Sequence, residues 1–494
     1  MSLPIEQLLG TAEGKTLEFK RDLSSPRNIL KTLVAFANTA GGCLLVGIDD
    51  ARQVVGVAQP LDEEERLCSL IADAIAPRLV PNIELATSQG KSILIVEVFS
   101  SGLRPHYLKA EGEEQGVYVR LGSSSRQADR ELVAELRRSA EGIVFDEMPM
   151  PDLDINDLDL DAARNVFADQ RALTEQTLLT LRLLTREQGR LVPTKGAVLL
   201  FGKDRQRHFP DAWVQCGRFI GKDKARILDH TEINAHLPDA VGLIMDFLKK
   251  HAMRGADFSE IRRKDVWSIP LPILREAVIN ALVHADYSQI GAPIRIAFFD
   301  DRIDVESPGI LLPGMTVDDM KQGVSRLRNR VIARVFRELN LIEQWGSGVR
   351  RIFSDAKEQG LRAPEIVEIG MRVRLTIFLA VPLVTAQFPG QEVVKEELRL
   401  ESRLESRLES KLAARVILLL AERHAGKAQL AAALGHKSVS GELNKQIRRL
   451  LELGLIEMTL PDKPNSRLQK YRLTAQGLQQ FDEKSSGIVL PGSD

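Results

Sequence analysis

In the stretch from Leu271 to Tyr287, apolar residues from Ile273 onward recur at helical spacing, with Ile273, Leu274, Ala277, Val278, Ala281 and Leu282 forming one stripe. Pro270 and Pro272 pre-set the backbone for the start of that helix. Glu276, Asn280 and His284 fall at i, i+4 and i+8, so three polar groups share one side of it. Residues 293–299 then alternate as a strand, Asp300-Asp301 turns, and 302–306 returns as a second strand. Ser307-Pro308-Gly309 and Pro313-Gly314 break the pattern into a loop, and Trp345-Gly346-Ser347-Gly348 opens a helix over 349–359.

Earlier in the chain, Thr16-Leu17-Glu18-Phe19-Lys20 alternates, which predicts Leu17 and Phe19 facing a core and Glu18 and Lys20 facing outward together. A helix over 29–37 leads through Asn38-Thr39-Ala40-Gly41-Gly42 into a strand over 43–48 that ends at Asp49-Asp50. Met-Pro-Met-Pro and the acidic alternation that follows, across 146–161, mark a boundary. Beyond it the pattern gives a helical stretch over 160–188, a buried strand over 195–202, a strand over 214–221 and an amphipathic helix over 240–251. E-S-R-L, E-S-R-L, E-S-K-L repeats across 401–412. A four-residue period carries Leu400, Leu404, Leu408 and Leu412 round a helix by about 40° per step, which suits a helical spacer or weak self-association. Helices over 413–424, 427–434 and 438–453, followed by a hairpin of 455–460 and 468–474, stand in the order of a winged helix. The expectation is an α+β, multidomain chain: 1–145, a linking α/β region 152–268, a module at 269–380, a linker 381–412 and a winged helix at 413–484.

At 494 residues the chain exceeds one core and accommodates three or four domains. Its formal net charge of −1 excludes a uniformly basic nucleic-acid binder, so any such role belongs to local patches. One exists: twelve Lys and Arg against seven Asp and Glu give 413–484 a balance of about +5. Cys43, Cys68 and Cys216 lie far apart, which argues against a disulfide framework or zinc site and for a reducing cytoplasm. No segment reaches the roughly 20 apolar residues of a membrane span, so the expected setting is cytoplasmic. Gly10-Thr11-Ala12-Glu13-Gly14-Lys15-Thr16 is one residue short of a Walker phosphate loop and follows no strand, which excludes a helicase motor built on that loop.

The polar stripe of the helix in the 271–287 stretch has two readings. It is a solvated face, or it is ATP chemistry, with the Asn280 amide oxygen holding Mg²⁺ and Glu276, one turn away, orienting or deprotonating a water. Two glycines at a helix N-terminus let backbone N–H groups approach an anion. Helix, hairpin, loop and glycine-started helix, in that order, resemble the GHKL-type ATP-binding fold of gyrase, Hsp90 chaperones and histidine kinases. More closely, R-E-A-V-I-N-A-L-V-H-A-D-Y, the E-S-P-G turn and Q-W-G-S-G-V-R-R-I resemble the module found beside Schlafen-type AlbA_2 domains in bacterial proteins labelled RecG-like helicases. That resemblance implies an ATP site at Glu276, Asn280, His284, Gly309, Gly346 and Gly348. It departs from the wider class where Glu306-Ser307-Pro308-Gly309 replaces the aspartate–glycine box that reads adenine.

E-x(4)-E-F-K and A-F-A-N-T-A-G-G-C-L-L-V-G-I-D-D, with V-Y-V-R-L-G-S at 117–123, resemble the Schlafen AlbA_2 family. The resemblance implies that Glu13, Glu18 and Asp49 hold Mg²⁺ or Mn²⁺ for RNA cleavage. Three carboxylates suit such a hard cation. The competing reading is that Glu18 and Lys20 are the wet face of a strand and Asp49 caps a turn. Lys20, Arg21, Arg120, Arg126 and Arg130 are phosphate contacts or solvated surface. S-G-E-L-N-K-Q-I and P-D-K-P-N-S-R-L-Q-K-Y-R-L-T resemble the C-terminal winged helix of some Fic-family proteins. That places Lys437, Lys445, Arg448 and Arg449 on a recognition helix and Lys463, Arg467 and Lys470 in the wing, for DNA or for protein docking. Together these readings give an ATP-binding, nucleic-acid-binding regulator of transcription, stress or phage defence, or else a metal-dependent endoribonuclease acting on structured RNA such as tRNA. DNA or RNA is the expected partner, with no membrane, and a homo-oligomer is left open.

Overall fold

Leu17 and Phe19 anchor the first strand of the computed structural model, which describes residues 5–257, 264–267, 269–342, 348–380, 408, 410–422, 424–434, 440–462, 466 and 469–476. Helix α1 (Ile5–Gly10) precedes strand β1 (Leu17–Lys20), and helix α2 (Pro26–Asn38) and strand β2 (Gly42–Val46) follow. The pair β1 and β2 is parallel. A hairpin of β3 (Asn82–Ser88) and β4 (Lys91–Val98) completes a sheet in the order β1-β2-β4-β3. One face buries Leu17, Phe19, Leu45, Ile93 and Ile95 with Leu8 of α1. The other buries Leu44, Val46, Leu94 and Val96 against Ile29, Leu33 and Phe36 of α2. Strand alternation sends Glu18 to the α2 side, where strand β5 (Tyr118–Leu121) also packs. Glu18 is therefore 7% exposed rather than on a wet face: the alternation was real, but both faces of this sheet are covered. Strand β6 (Ser124–Gln127) pairs with β5, and helix α3 (Arg130–Ala140) ends this first part.

The stretch 160–188, continuous in the sequence pattern, is broken into α4 (Leu160–Phe167), α5 (Glu175–Thr180) and a hairpin of β7 (Leu184–Glu187) and β8 (Arg190–Pro193). Gln188 and Gly189 turn that hairpin with positive φ at both positions, the geometry that matches strand twist. The apolar run at 195–202, which reads as a buried strand, is helix α6 (Lys195–Phe201). Thr194 caps it by accepting the Ala197 N–H at 3.2 Å. A fully buried apolar run has no exposed face to reveal its period, so strand and helix look alike in sequence.

Strands β9 (Val214–Phe219) and β10 (Ile227–Ile233) and helix α7 (Leu237–Ala252) lead into α8 (Leu271–His284), the polar-striped helix. Then come β11 (Ile294–Phe298), β12 (Arg302–Pro308), α9 (Arg330–Glu338), α10 (Gly348–Glu358), β13 (Glu365–Ile369) and β14 (Arg372–Phe378). Six strands make one sheet in the order β10-β9-β11-β12-β14-β13, with β9 parallel to β11 and every other pair antiparallel. The region 152–268, expected to be a linker, thus supplies two strands of the same sheet. One hydrophobic core runs from Leu158 to Leu379.

The chain divides into two units, Met1–Leu383 and Val384–Asp494. In the second, α11 (Lys411–Glu422), α12 (Lys427–Ala433) and α13 (Gly441–Glu452) precede the antiparallel pair β15 (Ile456–Met458) and β16 (Tyr471–Leu473). Leu408 is buried in that unit's core and Leu412 packs against it, so the end of the leucine stripe is core material; Leu400 and Leu404 lie outside the described residues. The whole is α+β and multidomain. Among the described residues no helix is long and apolar enough to cross a membrane.

Candidate functional site

Helix α8 turns its polar stripe into a cavity of about 320 Å³ closed by β12, β14, the segment after β12 and the start of α10. Glu276, Asn280, His284, Gly309 and Gly348 all line it; Gly346 lies outside the described residues. The Asn280 Nδ2 donates to Glu276 Oε1 at 2.9 Å, an i,i+4 bond that leaves Asn280 Oδ1 as an acceptor for a cation. Gly348 meets this pair directly: a Cβ there would collide with the Glu276 carboxylate and stand 3.5 Å from Asn280 Nδ2. Gly309 has φ +100°, and a Cβ on it would sit 2.8 Å from that of Asp286. Burial lowers the pKa of His284 to about 4, so its imidazole is neutral at pH 7. The inner wall is apolar, with Ala281, Val305, Met315, Ile342, Ile366 and Leu375.

Sequence reasoning missed one feature of the cavity and one buried group beside it. Arg326, Arg328, Arg337 and Arg351 line it as well, giving it cationic character. They come from a loop and two helices and share no spacing; only Arg351 falls within a quoted motif, and nothing local marks the other three. Asp286, two residues past His284, is buried; its Oδ1 accepts the Ser288 N–H at 3.0 Å and hydroxyl at 2.6 Å, its Oδ2 has no partner, and burial raises its pKa. The expected E-S-P-G turn needs correction too. Glu306, Ser307 and Pro308 continue strand β12, where Val305 and Ser307 face the cavity. Glu306 points to the opposite face and pairs with Arg374 at 2.7 Å and Lys224 at 3.7 Å.

In the first part, the three carboxylates are each engaged by the protein itself. Glu13 Oε1 accepts the Phe19 N–H at 2.8 Å. Glu18 pairs with both Arg120 and Lys20. Asp49 Oδ1 accepts the Gln53 N–H at 2.7 Å and so caps a turn. Among the described residues no group of three or more His, Cys, Asp or Glu gathers as a metal site. With both oxygens of Glu18 committed to cations, this donor set does not fit a bound divalent metal. Arg120, 1% exposed, donates to Gly14 O at 3.0 Å and lies over the Phe36 ring, so it is interior structure and not a surface phosphate contact. Lys15 is bound to Glu368, and Gly10–Thr16 runs helix–loop–strand, the reverse of a Walker loop.

In the second unit, Ser440 caps α13 by accepting the Leu443 N–H at 3.1 Å, and Leu443, Ile447 and Leu450 face its core. That leaves Lys445 and Arg448 exposed on the helix and Arg449 half-buried; Lys470 is exposed beside β16. Lys437, Lys463 and Arg467 lie outside the described residues.

Three family models match this chain. Schlafen, AlbA_2 matches residues 13–129, putative ATP-dependent DNA helicase recG C-terminal matches 291–377, and filamentation induced by cAMP protein Fic-like, C-terminal domain, matches 413–474. No curated protein matches. Among solved structures, the DIP2311 protein from Corynebacterium diphtheriae is similar at 20% identity and TM-score 0.40, over 98% of this chain and 85% of that one. The N-terminal domain of a putative ATP-dependent DNA helicase RecG-related protein from Nitrosomonas europaea is similar at 31% identity and TM-score 0.21, over 25% of this chain and 89% of that one. The chain is multidomain, and its parts match, in order, a Schlafen AlbA_2 model, a RecG-like C-terminal model and a Fic-like C-terminal model.

Proposed function

We propose that this chain is an ATP-binding, nucleic-acid-binding regulator, with its nucleotide in the α8 cavity. One observation carries the reading: five residues picked out for nucleotide chemistry, separated by up to 72 positions between Glu276 and Gly348, line a single cavity. An isolated solvated stripe would not converge with two glycines. The apolar inner wall takes a base, and Arg326, Arg337 and Arg351 answer the phosphate charge, while Arg328 is already neutralised by Glu135. Mg²⁺, when bound with the nucleotide, neutralises phosphate charge. The Asn280 Oδ1 and the Glu276 carboxylate are hard oxygen donors of the kind that fit it. Glu276 also stands where a carboxylate can orient a water, and the neutral His284 offers one donor and one acceptor nitrogen.

ATP with Mg²⁺ raises the melting temperature of the full chain under this reading, as any ligand of the native state must. Asn280→Ala abolishes that shift. An unchanged melting curve at millimolar ATP overturns the assignment. The regulatory half predicts that the protein shifts a fragment of its own promoter without metal. A ribonuclease instead cuts RNA only with Mg²⁺ or Mn²⁺, and the engaged state of Glu13, Glu18 and Asp49 favours the regulator.

A further inference from the structure

One wall of the cavity is also a wall of the first part's core. Gly309, Ile310, Leu311, Leu312, Met315 and Arg328 line the cavity. This lining is keyed into residues 1–145 at four points: directly through Ile310, Gly314 and Arg328, and from Leu311 by way of Glu368. Ile310, 4% exposed, sits in one hydrophobic cluster with Val117, Val119, Leu132 and Leu136. The Leu311 N–H donates to Glu368 Oε1 at 2.8 Å, and Glu368 in turn holds Lys15 at 2.7 Å, between Glu13 and Glu18 in sequence. The Gly314 N–H donates to the Thr39 carbonyl at 2.9 Å, just past the end of α2. Arg328 pairs with Glu135 of α3 and donates to the Ile310 carbonyl, and both charged side chains are buried. Arg328 meets Glu135 Oε1 while Oε2 has no hydrogen-bond partner, so moving Arg328 strands a buried carboxylate.

We infer that occupancy of the cavity is coupled to the Schlafen-type part through the 309–315 segment and the Arg328–Glu135 and Lys15–Glu368 pairs. The inference rests on the nucleotide reading above and specifies how the site is regulated. A ligand that favours one position of the segment shifts everything keyed to it, because packed cores switch between discrete arrangements and do not deform continuously. Coupling of this kind is reciprocal, so a nucleic acid on the first part changes nucleotide affinity by the same factor. That factor is typically about 5- to 150-fold.

The test uses the full chain with a non-hydrolysable ATP analogue and Mg²⁺, following binding by calorimetry and amide exchange by mass spectrometry. In the wild type, protection in β1 and α2, neither of which lines the cavity, rises by about 5- to 150-fold on binding. Lys15→Met and Glu135→Gln, compared at saturation, still bind the analogue and still protect α8, but lose the rise in β1 and α2. Lys15→Met keeps the test interpretable should Glu135→Gln fail to fold, since Lys15 lies at the edge of the interface with 12% of its side chain exposed. Binding heat accompanied by a β1 and α2 response equal to wild type in the variants overturns the coupling route. Binding heat with protection confined to residues 271–342 in the wild type overturns it as well. Absence of binding heat removes the nucleotide reading and the coupling with it, so the two failures are distinguishable.

Discussion

A side chain at position 348 has nowhere to go, because its first carbon falls on the Glu276 carboxylate. Gly348→Ala must push that carboxylate away from Asn280 or lift the start of α10, and either displaces the groups that would meet phosphate. Nucleotide affinity should fall by about tenfold or more, equivalent to about 1.4 kcal/mol, with calorimetry as the measurement and a retained circular dichroism spectrum as the control. Glu18 presents the opposite case, a residue whose sequence signature points to catalysis and whose surroundings point to structure. It neutralises Arg120, which is 1% exposed. Removing one partner of a buried pair costs about 3–5 kcal/mol, so Glu18→Ala should lower stability in a denaturant titration by that order. A normal unfolding curve for Glu18→Ala, together with loss of metal-dependent RNA cleavage, would reverse the assignment and restore the nuclease.

Helix α9 is held at its N-terminus by a carboxylate from outside the helix. Asp146 accepts the N–H groups of Arg330, Val331 and Ile332 at 3.0, 2.6 and 3.0 Å, which satisfies three of the donors a helix start leaves open. Burial outweighs those bonds and raises its pKa to about 7. A carboxyl with a folded pKa above its unfolded value binds its proton more tightly in the native state. Its contribution to stability is therefore full below about pH 4 and is lost as pH climbs through about 7. The loss amounts to a few kcal/mol at about 1.36 kcal/mol per unit. Asp146→Asn should be less stable than wild type at low pH, where the cap geometry matters most, and its stability should decline less between pH 4 and 7. A parallel pair of pH–stability curves would refute the titration. Helix α8 shows what element-level reading achieves: its start, its stripe and its polar triad, but not its end at His284, were legible because Glu276, Asn280 and His284 interrupt an apolar run at helical spacing. Helix α6 was not, because burial on every side erases the contrast on which periodicity depends.

For the molecule as a whole, the second unit holds the basic excess, and its exposed Lys445 and Arg448 test what that excess is for. If α13 meets DNA phosphates, Lys445→Ala with Arg448→Ala should weaken binding and reduce the slope of log affinity against log salt by about two. A change at Glu452, acidic and exposed on the same helix, should leave affinity undiminished. Salt-independent binding indifferent to the double change would make this unit a protein-docking surface. The amino-acid sequence alone determined the order of parts, a share of the helices and strands, and the polar residues of α8, because each depends on local period, turn chemistry or a contiguous motif. Tertiary structure alone decided that 152–268 supplies two strands of a shared sheet, that Glu18 and Arg120 neutralise each other in the interior, and that the 309–315 segment lines the cavity while its Ile310 packs in the first part's core. The physical reason is common to all three. Which groups meet across 100 or more residues is set by how covered faces pack, and a covered face leaves no period in the chain by which to recognise its partner.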